Sequence, residues 1–123
     1  MPRYVDGFVL PVPKRSIPAY RRMAQKAGKI WMEHGALEYL ECMGDDLKVK
    51  KVVPFPRLAK TKPGETVFFS WIIYKSKAHR DRVNKKVMAD PRIKMDMDKM
   101  PFDWKRMSYG GFKTLVEMKG KRR

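Results

Sequence analysis

Hydrophobic residues are densest in the run TVFFSWIIY, residues 66–74, which is too short to span a membrane. β-Branched and aromatic residues of this kind favour β-strands, and successive side chains of a strand point to opposite faces of its sheet. Both alternating sets of side chains are mostly apolar in this run. We therefore expect a strand that is covered on both sides.

Two other stretches have the spacing of helices. From residue 14 or 16 to His34, apolar residues recur at intervals of three and four, which is typical of a helix with one buried stripe. Gly35 is suited to end this helix because glycine readily adopts a left-handed backbone conformation. A second helix is predicted from Ser76, whose hydroxyl can accept a backbone N–H of the first turn, to Asp90, which precedes a proline.

The remaining elements are less regular. Alternating apolar positions predict further strands at Tyr4–Leu10, which ends at a Pro-Val-Pro sequence, at Ala36–Cys42 and at Arg106–Met118. Gly110-Gly111 interrupts the last strand and indicates a bulge. The prolines between residues 47 and 64 predict an irregular loop with one short extended piece. The order βαββαβ predicts an α+β, ferredoxin-like fold, in which an antiparallel sheet carries two helices on one face.

The length of 123 residues suits one domain with one core, which we assign to residues 1–118. A basic tail, KGKRR, follows at residues 119–123, and residues 93–100 are predicted to form a short, methionine-rich, amphipathic segment. The single cysteine, Cys42, excludes an internal disulfide, and the first residues lack the apolar core of a signal peptide. These features indicate a cytoplasmic protein without a membrane segment.

The chain is strongly basic, with 29 Lys and Arg residues against 13 Asp and Glu and a formal net charge of +16. The excess is spread along the chain, which favours a solvated surface, and a face that binds a polyanion is the alternative. For that alternative we expect weak, non-specific binding of nucleic acid. Salt dependence distinguishes it from an apolar small-molecule pocket, because counterion release makes nucleic-acid binding fall steeply with salt.

Few residue patterns point to a specific chemistry. His34 and His79 are the only histidines, and nearby carboxylates could complete a metal site with them. They lack a signature spacing, so a structural role, or proton transfer by His34, is favoured. Cys42 ends an apolar strand and is expected to be an inert thiol. The sequence has no phosphate-binding loop, nucleophile elbow or dinucleotide fingerprint, and no motif requires a metal or an organic cofactor.

Four residues form the strongest candidate site. His34 ends the first predicted helix, and Trp71 lies on the strand that leads into the second. Arg80 and Asn84 are four residues apart and therefore share a helix face. We expect all four around one cleft between sheet and helices. His34 would be the catalytic residue that takes a proton, Arg80 and Asn84 would bind a small anion or a carbonyl oxygen, and Trp71 would be an apolar wall. Packing and surface roles for all four are the alternative.

The chain also resembles a known family. It is similar to the YbaA-like family of small uncharacterised bacterial proteins in YVDGFVLPVP, EHGALEYLECMGDD, ETVFFSWIIY, KVMADPRI and MPFDWKRMSYGGF, which together run through nearly the whole chain. The heavy lysine and arginine content departs from that family. The family resembles the dimeric α+β-barrel superfamily, which pairs two ferredoxin-like sheets face to face. That superfamily includes cofactor-free monooxygenases, haem-degrading enzymes and proteins without known activity, so the resemblance implies a dimeric barrel but no defined reaction.

Two classes of function follow from these observations. The first is a small cytoplasmic homodimer that binds a small molecule in a cleft between sheet and helices, or acts there as a cofactor-independent enzyme of monooxygenase-like type. The second is weak binding of nucleic acid or another polyanion by the basic surface. A dimer is expected on physical grounds as well, because Phe8, Phe68, Phe69, Trp71 and Phe112 supply more aromatic surface than one helical layer covers.

Overall fold

The computed structural model of the chain describes residues 2–93 and 99–121. Its strands are β1 (Tyr4–Pro13), β2 (Glu38–Met43), β3 (Glu65–Tyr74) and β4 (Ser108–Lys113), and its helices are α1 (Ile17–Glu33), α2 (Phe55–Leu58) and α3 (Lys77–Ala89). The strands form one antiparallel sheet in the order β2-β3-β1-β4. The predicted α+β, ferredoxin-like βαββαβ arrangement is therefore confirmed, with α2 as an additional short helix.

The two long helices lie on one face of the sheet, and the core fills the space between them and the strands. Two clusters of buried residues form this core: Leu10, Val12, Tyr20, Ala24 and Phe68 on one side, and Ile30, Ala36, Ile72, Tyr74, Val83 and Val87 on the other. The first cluster joins α1 to β1 and β3, and the second joins α1, β3 and α3. The apolar stripe predicted for the first helix is the surface that α1 buries.

The ends of both long helices follow the predicted capping signals. Gly35 has a φ of +113°, in the left-handed region that glycine tolerates. The Ser76 hydroxyl accepts a hydrogen bond from the backbone N–H of His79 at 3.2 Å. α3 then ends one residue before Asp90. Local sequence therefore sets where α1 ends and where α3 begins and ends.

The first strand is longer than predicted and continues through Pro11 and Pro13. β4 pairs with β1 only as far as Val9, so the last part of β1 is an edge on that side. The Lys14 N–H donates to Gly64 O, beside the start of β3, at 2.8 Å. Backbone N–H groups of successive strand residues point to opposite sides of the strand, so the nitrogens of Pro11 and Pro13 point away from β3, toward the unpaired edge. Proline is tolerated there because no hydrogen bond is lost.

Two other predicted features need correction. The loop between residues 47 and 64 contains the helix α2 rather than an extended piece, and Pro56 sits in its first turn, where a missing N–H costs no helical hydrogen bond. Gly110 and Gly111 do not form a bulge within β4, since they pair in regular register with Gly7 and Asp6. A Cβ on Gly111 would lie 2.5 Å from the Tyr4 hydroxyl oxygen, so this glycine provides room for that side chain.

The face of the sheet opposite α1 and α3, here called the open face, carries large apolar side chains. Trp71 packs beside Phe69, and Phe55 of α2 stacks over Phe69 with 6.0 Å between ring centroids. Phe69 remains 45% exposed and Phe112 of β4 63% exposed. The open face is therefore an apolar surface that α2 covers only in part.

Parts of two predicted segments fall outside the described residues: positions 94–98 of the methionine-rich segment, and Arg122 and Arg123 of the basic tail. Residues 119–121 of the tail follow β4 without belonging to a helix or strand. None of the helices in the described part of the chain is long and apolar enough to cross a membrane.

α1 approaches β2 closely because a glycine lies at the point of contact. Gly28 is buried in α1, and a Cβ built on it would lie 2.8 Å from Cδ1 of the Tyr39 ring. Real side chains do not tolerate so short a contact. Gly28 thus allows the Tyr39 ring to pack closely beneath the helix.

We expect Gly28→Ala to lower the free energy of unfolding by about 1 kcal/mol. Displacing the Tyr39 ring should cost about 2 kcal/mol, which exceeds the roughly 1 kcal/mol that alanine gains over glycine inside a helix. Urea denaturation measures the change. Gly120→Ala is the control, since its Cβ would meet nothing within 4 Å. A Gly28→Ala protein more stable than the parent would contradict the close contact.

Candidate functional site

A carboxylate lies between α1 and the sheet. Glu41 belongs to β2 and pairs across the sheet with Ser70 of β3. Ser70 is 4% exposed and belongs to the surface of β3 that faces the helices, so Glu41 points toward α1. A carboxylate placed against a helix in this way loses water and needs other hydrogen-bond donors.

Three hydroxyl groups supply those donors. Tyr20 of α1 donates to Glu41 Oε1 at 2.7 Å, and Tyr39 of β2 donates to Oε2 at 2.9 Å. The Ser70 hydroxyl also donates to Oε1. One carboxylate therefore connects a helix with two neighbouring strands.

The two tyrosines stay protonated here at ordinary pH, so each can donate its hydroxyl proton to Glu41. Burial, with the neighbouring negative charge of Glu41, raises the pKa of Tyr20 and of Tyr39 far above the usual range. Both hydroxyls therefore keep their protons and point them at the carboxylate. The group of Glu41, Tyr20, Tyr39 and Ser70 is called the Glu41 cluster below.

The Glu41 cluster borders two spaces. A cleft of about 640 Å³ lies between α1 and β2, and Tyr20, Tyr39 and Glu41 line it together with apolar groups such as Phe68 and Met43. A smaller space of about 170 Å³ lies deeper, where the same three residues meet Ser70 and Trp31. The carboxylate therefore stands at the boundary between an accessible cleft and the interior.

The structure brings together two of the four residues that the sequence singled out. Arg80 and Asn84 share the face of α3 that points toward a buried carboxylate, Asp6 of β1, which is 1% exposed. Arg80 Nη1 donates to Asp6 Oδ1 at 2.9 Å and to the Tyr109 hydroxyl at 2.8 Å. The Arg80 guanidinium thus binds an anion, but the anion belongs to the protein.

The surroundings of Asp6 have opposing effects on its charge. Burial raises the pKa of Asp6, while the Arg80 guanidinium and hydrogen bonds involving Tyr109, Asn84 and Tyr74 oppose the increase. Asn84 also accepts hydrogen bonds, at 3.1 Å from the Trp31 indole and 3.2 Å from the Tyr74 hydroxyl. Asn84 therefore connects this network to α1 and β3, where its side chain is used within the fold.

His34 and Trp71 lie elsewhere, so the four predicted residues do not surround one cleft. His34 follows α1, and its Nε2 lies 2.9 Å from Oδ2 of Asp90. Arg92 also donates to Asp90, and these hydrogen bonds, from Arg92 first and His34 second, hold the Asp90 pKa well below its usual range. Catalysis by His34 remains a prediction that this geometry does not test.

Trp71 is separated from the helices by the sheet itself. It pairs with Gly7 of β1, whereas Asp6 pairs with Ile72, so Trp71 and Asp6 point to opposite faces. The sequence shows which residues alternate on a strand, but not which set the helices cover. Both sets of β3 side chains are mostly apolar, and the structure places Trp71 on the open face rather than in the predicted cleft.

The Glu41 cluster was missed, although its signal is in the sequence. The pattern LEYLE at residues 37–41 places Glu41 on the same strand face as Leu37 and Tyr39. A carboxylate among large apolar groups on a strand face is a candidate for burial. Tyr20 lies on the apolar stripe of α1, so a hydroxyl partner from the helix could also have been inferred.

The described residues, 2–93 and 99–121, contain no group of three or more His, Cys, Asp or Glu side chains that could hold a metal ion. His34 is paired with Asp90, whereas His79 Nδ1 accepts the backbone N–H of Lys75 at 2.9 Å. The two histidines therefore have separate hydrogen-bond partners.

Comparison with known sequences gives a family. The profile of DUF1428, described as a protein of unknown function, matches residues 3–104, a range that includes the whole Glu41 cluster. The chain is 48% identical over 115 residues to "Uncharacterized protein YbaA" of Escherichia coli K12, across 94% of this chain and 98% of that protein. The protein of the same description from Shigella flexneri matches equally well.

Comparison with solved structures supports the fold. Two crystal structures, each described as a dimeric ferredoxin-like protein from an uncultured marine organism, superpose with TM-scores of 0.59 and 0.56. The first covers 96% of this chain and 100% of that chain at 11% identity. The second covers 100% and 95% at 7% identity. At such low identity the similarity concerns the fold alone.

Arg80→Met should lower the free energy of unfolding by about 3–5 kcal/mol at neutral pH, because it leaves the Asp6 carboxylate buried without its charge partner. The loss should shrink in acid. Burial raises the pKa of Asp6 in the folded state above its ordinary value of 3.8. Ionisation of Asp6 therefore destabilises the fold increasingly as the pH rises from 3.8 through the folded-state pKa. Urea denaturation between about pH 4 and pH 8 measures both effects, because this range begins near the ordinary carboxyl pKa of 3.8.

Arg82→Met is the control for this prediction, since Arg82 lies on the exposed side of the same helix. It should change the unfolding free energy by less than about 0.5 kcal/mol. Equal losses of unfolding free energy in the two variants would show that the fold does not need the Arg80 guanidinium beside Asp6.

Proposed function

We propose that this chain, which belongs to the DUF1428 family of proteins of unknown function, is a homodimer that binds a small molecule in the cleft between α1 and β2. One observation carries the proposal. The Glu41 carboxylate, held by three hydroxyls, borders an accessible cleft of about 640 Å³ whose other walls are largely apolar. Apolar walls with a few placed polar groups are typical of small-molecule sites.

The position of the carboxylate supports a binding role over a packing role. Glu41 is partly buried, and withdrawing a charge from water in this way is costly, whereas an apolar side chain of similar size serves packing as well. Asp6, which is 1% exposed, has a guanidinium partner at 2.9 Å. Glu41 is held by neutral hydroxyls instead, so its charge remains available to a ligand in the cleft.

Catalysis would be a further step beyond binding. A cofactor-independent reaction of monooxygenase-like type is a prediction from the family resemblance, and it requires a substrate that loses a proton and then reacts with oxygen by itself. Glu41, whose hydrogen-bond partners are neutral hydroxyls, is a carboxylate of the cleft that could receive such a proton. Identifying a ligand is therefore the first test.

The second part of the proposal is the dimer. The open face carries Trp71, Phe69 and Phe112, the last two substantially exposed. Apolar patches of this kind mark association surfaces. The two structural neighbours are both described as dimeric, which supports a second copy of this chain as the partner.

Weak binding of nucleic acid or another polyanion is a second candidate. The net charge of +16 supports it, and so does a shallow groove of about 310 Å³ bordered by Arg22, Lys26 and Lys29 of α1. Such binding should depend steeply on salt, whereas a ligand in the apolar cleft should respond much less.

A fragment screen by NMR tests the cleft. We expect some members of a chemically diverse library to shift the backbone amide signals of Gly28, Met32 and Glu41, which border the cleft. Glu41→Gln should weaken fragments that carry hydrogen-bond donors by roughly tenfold, the usual cost of one hydrogen bond to a charged group.

Asp46→Asn provides the control, since it removes one negative charge from an exposed residue in the turn after β2. It should leave fragment affinities unchanged. The proposal fails if fragments shift no cleft amides, or if all of them bind elsewhere on the chain.

Light scattering tests the dimer. The protein should have the mass of a dimer at micromolar concentration, and Phe112→Glu should produce monomers because it places a charge in the apolar interface. Met88→Glu is a matched control on α3, since Met88 is 62% exposed and Phe112 is 63% exposed. A monomeric parent protein, or equal dissociation by both substitutions, would rule out this interface.

A further inference from the structure

The cleft described above is polar at two places, its floor and its rim. The floor is the Glu41 carboxylate, whose Oε1 accepts two hydroxyls. Oε2 accepts one, from Tyr39, among the described residues. A carboxylate oxygen has room for two hydrogen bonds, so Oε2 can accept one more donor from a bound molecule.

The rim carries positive charge. Arg21 and Lys29 of α1 both line the cleft and both are exposed. Neither has an ion-pair partner among the described residues. Glu33 also lines the rim, but Arg92 donates a hydrogen bond to it, which lowers the Glu33 pKa and engages its charge. The unpaired charge at the mouth of the cleft is therefore positive.

The two ends of the cleft favour different groups. The floor favours a hydrogen-bond donor, the walls favour an apolar body, and the rim favours an anion. The overall charge of +16 adds to this preference, because a positive protein raises the local concentration of anions. A cation that reached Glu41 would have to pass Arg21 and Lys29.

We infer that the ligand of this cleft is an amphiphilic organic acid: an apolar, ring-sized body with a hydroxyl or amino donor at one end and a carboxylate at the other. The donor binds Glu41 Oε2, and the carboxylate lies near Arg21 or Lys29. The two cations are eight positions apart, about 12 Å along the helix, so one carboxylate contacts one of them at a time. This inference rests on the proposed small-molecule function.

Four matched probes test this ligand class: para-hydroxyphenylpropionate, its methyl ester, unsubstituted phenylpropionate and tyramine. The first has both polar ends, the ester lacks the charge, phenylpropionate lacks the hydroxyl, and tyramine replaces the anion by a cation. NMR titration of the cleft amides gives each dissociation constant. We expect hydroxyphenylpropionate to bind roughly tenfold more tightly than phenylpropionate and roughly threefold more tightly than its ester.

Paired double variants locate the anion. Arg21→Gln/Lys29→Gln removes the rim cations, whereas Arg22→Gln/Lys26→Gln removes two cations of α1 that do not line the cleft. Both variants have the same net charge, so any difference between them is local. The rim variant should bind the acid no better than the ester, and the control variant should keep the preference for the acid.

The outcomes separate this inference from the proposed function. If tyramine or the ester binds in the cleft as tightly as the acid, or both double variants lose the preference equally, the ligand class is wrong while the cleft remains a site. The same holds if other fragments shift the cleft amides and none of the four probes does. If no fragment of any charge reaches the cleft, the proposed function fails as well.

Discussion

The structure depends on how it satisfies a carboxylate enclosed between a helix and a sheet. Glu41 would be costly in that place without donors, and Tyr20, Tyr39 and Ser70 provide them from α1, β2 and β3. The same hydrogen bonds fix the distance between helix and sheet. The absence of a Cβ at Gly28 leaves room for the Tyr39 ring beneath the helix at this distance. The geometry that stabilises the fold on this side therefore also shapes the cleft.

The fully buried carboxylate of Asp6 contrasts with the partly buried carboxylate of Glu41. Asp6 is 1% exposed and receives the Arg80 guanidinium, so its charge is neutralised within the protein. Glu41 receives neutral hydroxyls and borders an accessible space. A carboxylate whose charge is neutralised by a guanidinium attracts a ligand only weakly, whereas a carboxylate held by neutral hydroxyls still attracts a hydrogen-bond donor of the ligand. This contrast is why we place the site at Glu41.

The sequence predicted the helices and strands better than the contacts between them. The period of apolar residues and the capping signals at Gly35 and Ser76 are local, and they specified α1 and α3 closely. The extension of β1 through Pro11 depends on where β4 ends, which is not a local property. Trp71 was assigned to the wrong face because both faces of β3 are apolar. The pairing of His34 with Asp90 joins residues 56 positions apart, so local pattern could not reveal it.

The central claim is that a molecule in the cleft is held by Glu41. It is tested most directly by the NMR signal of the Glu41 side-chain carboxyl carbon, observed while a cleft-binding fragment with a hydroxyl or amino donor is added. The account predicts a saturating shift of this signal that follows the backbone shifts of Gly28 and Met32. A carboxyl signal that stays constant while fragments bind would contradict it.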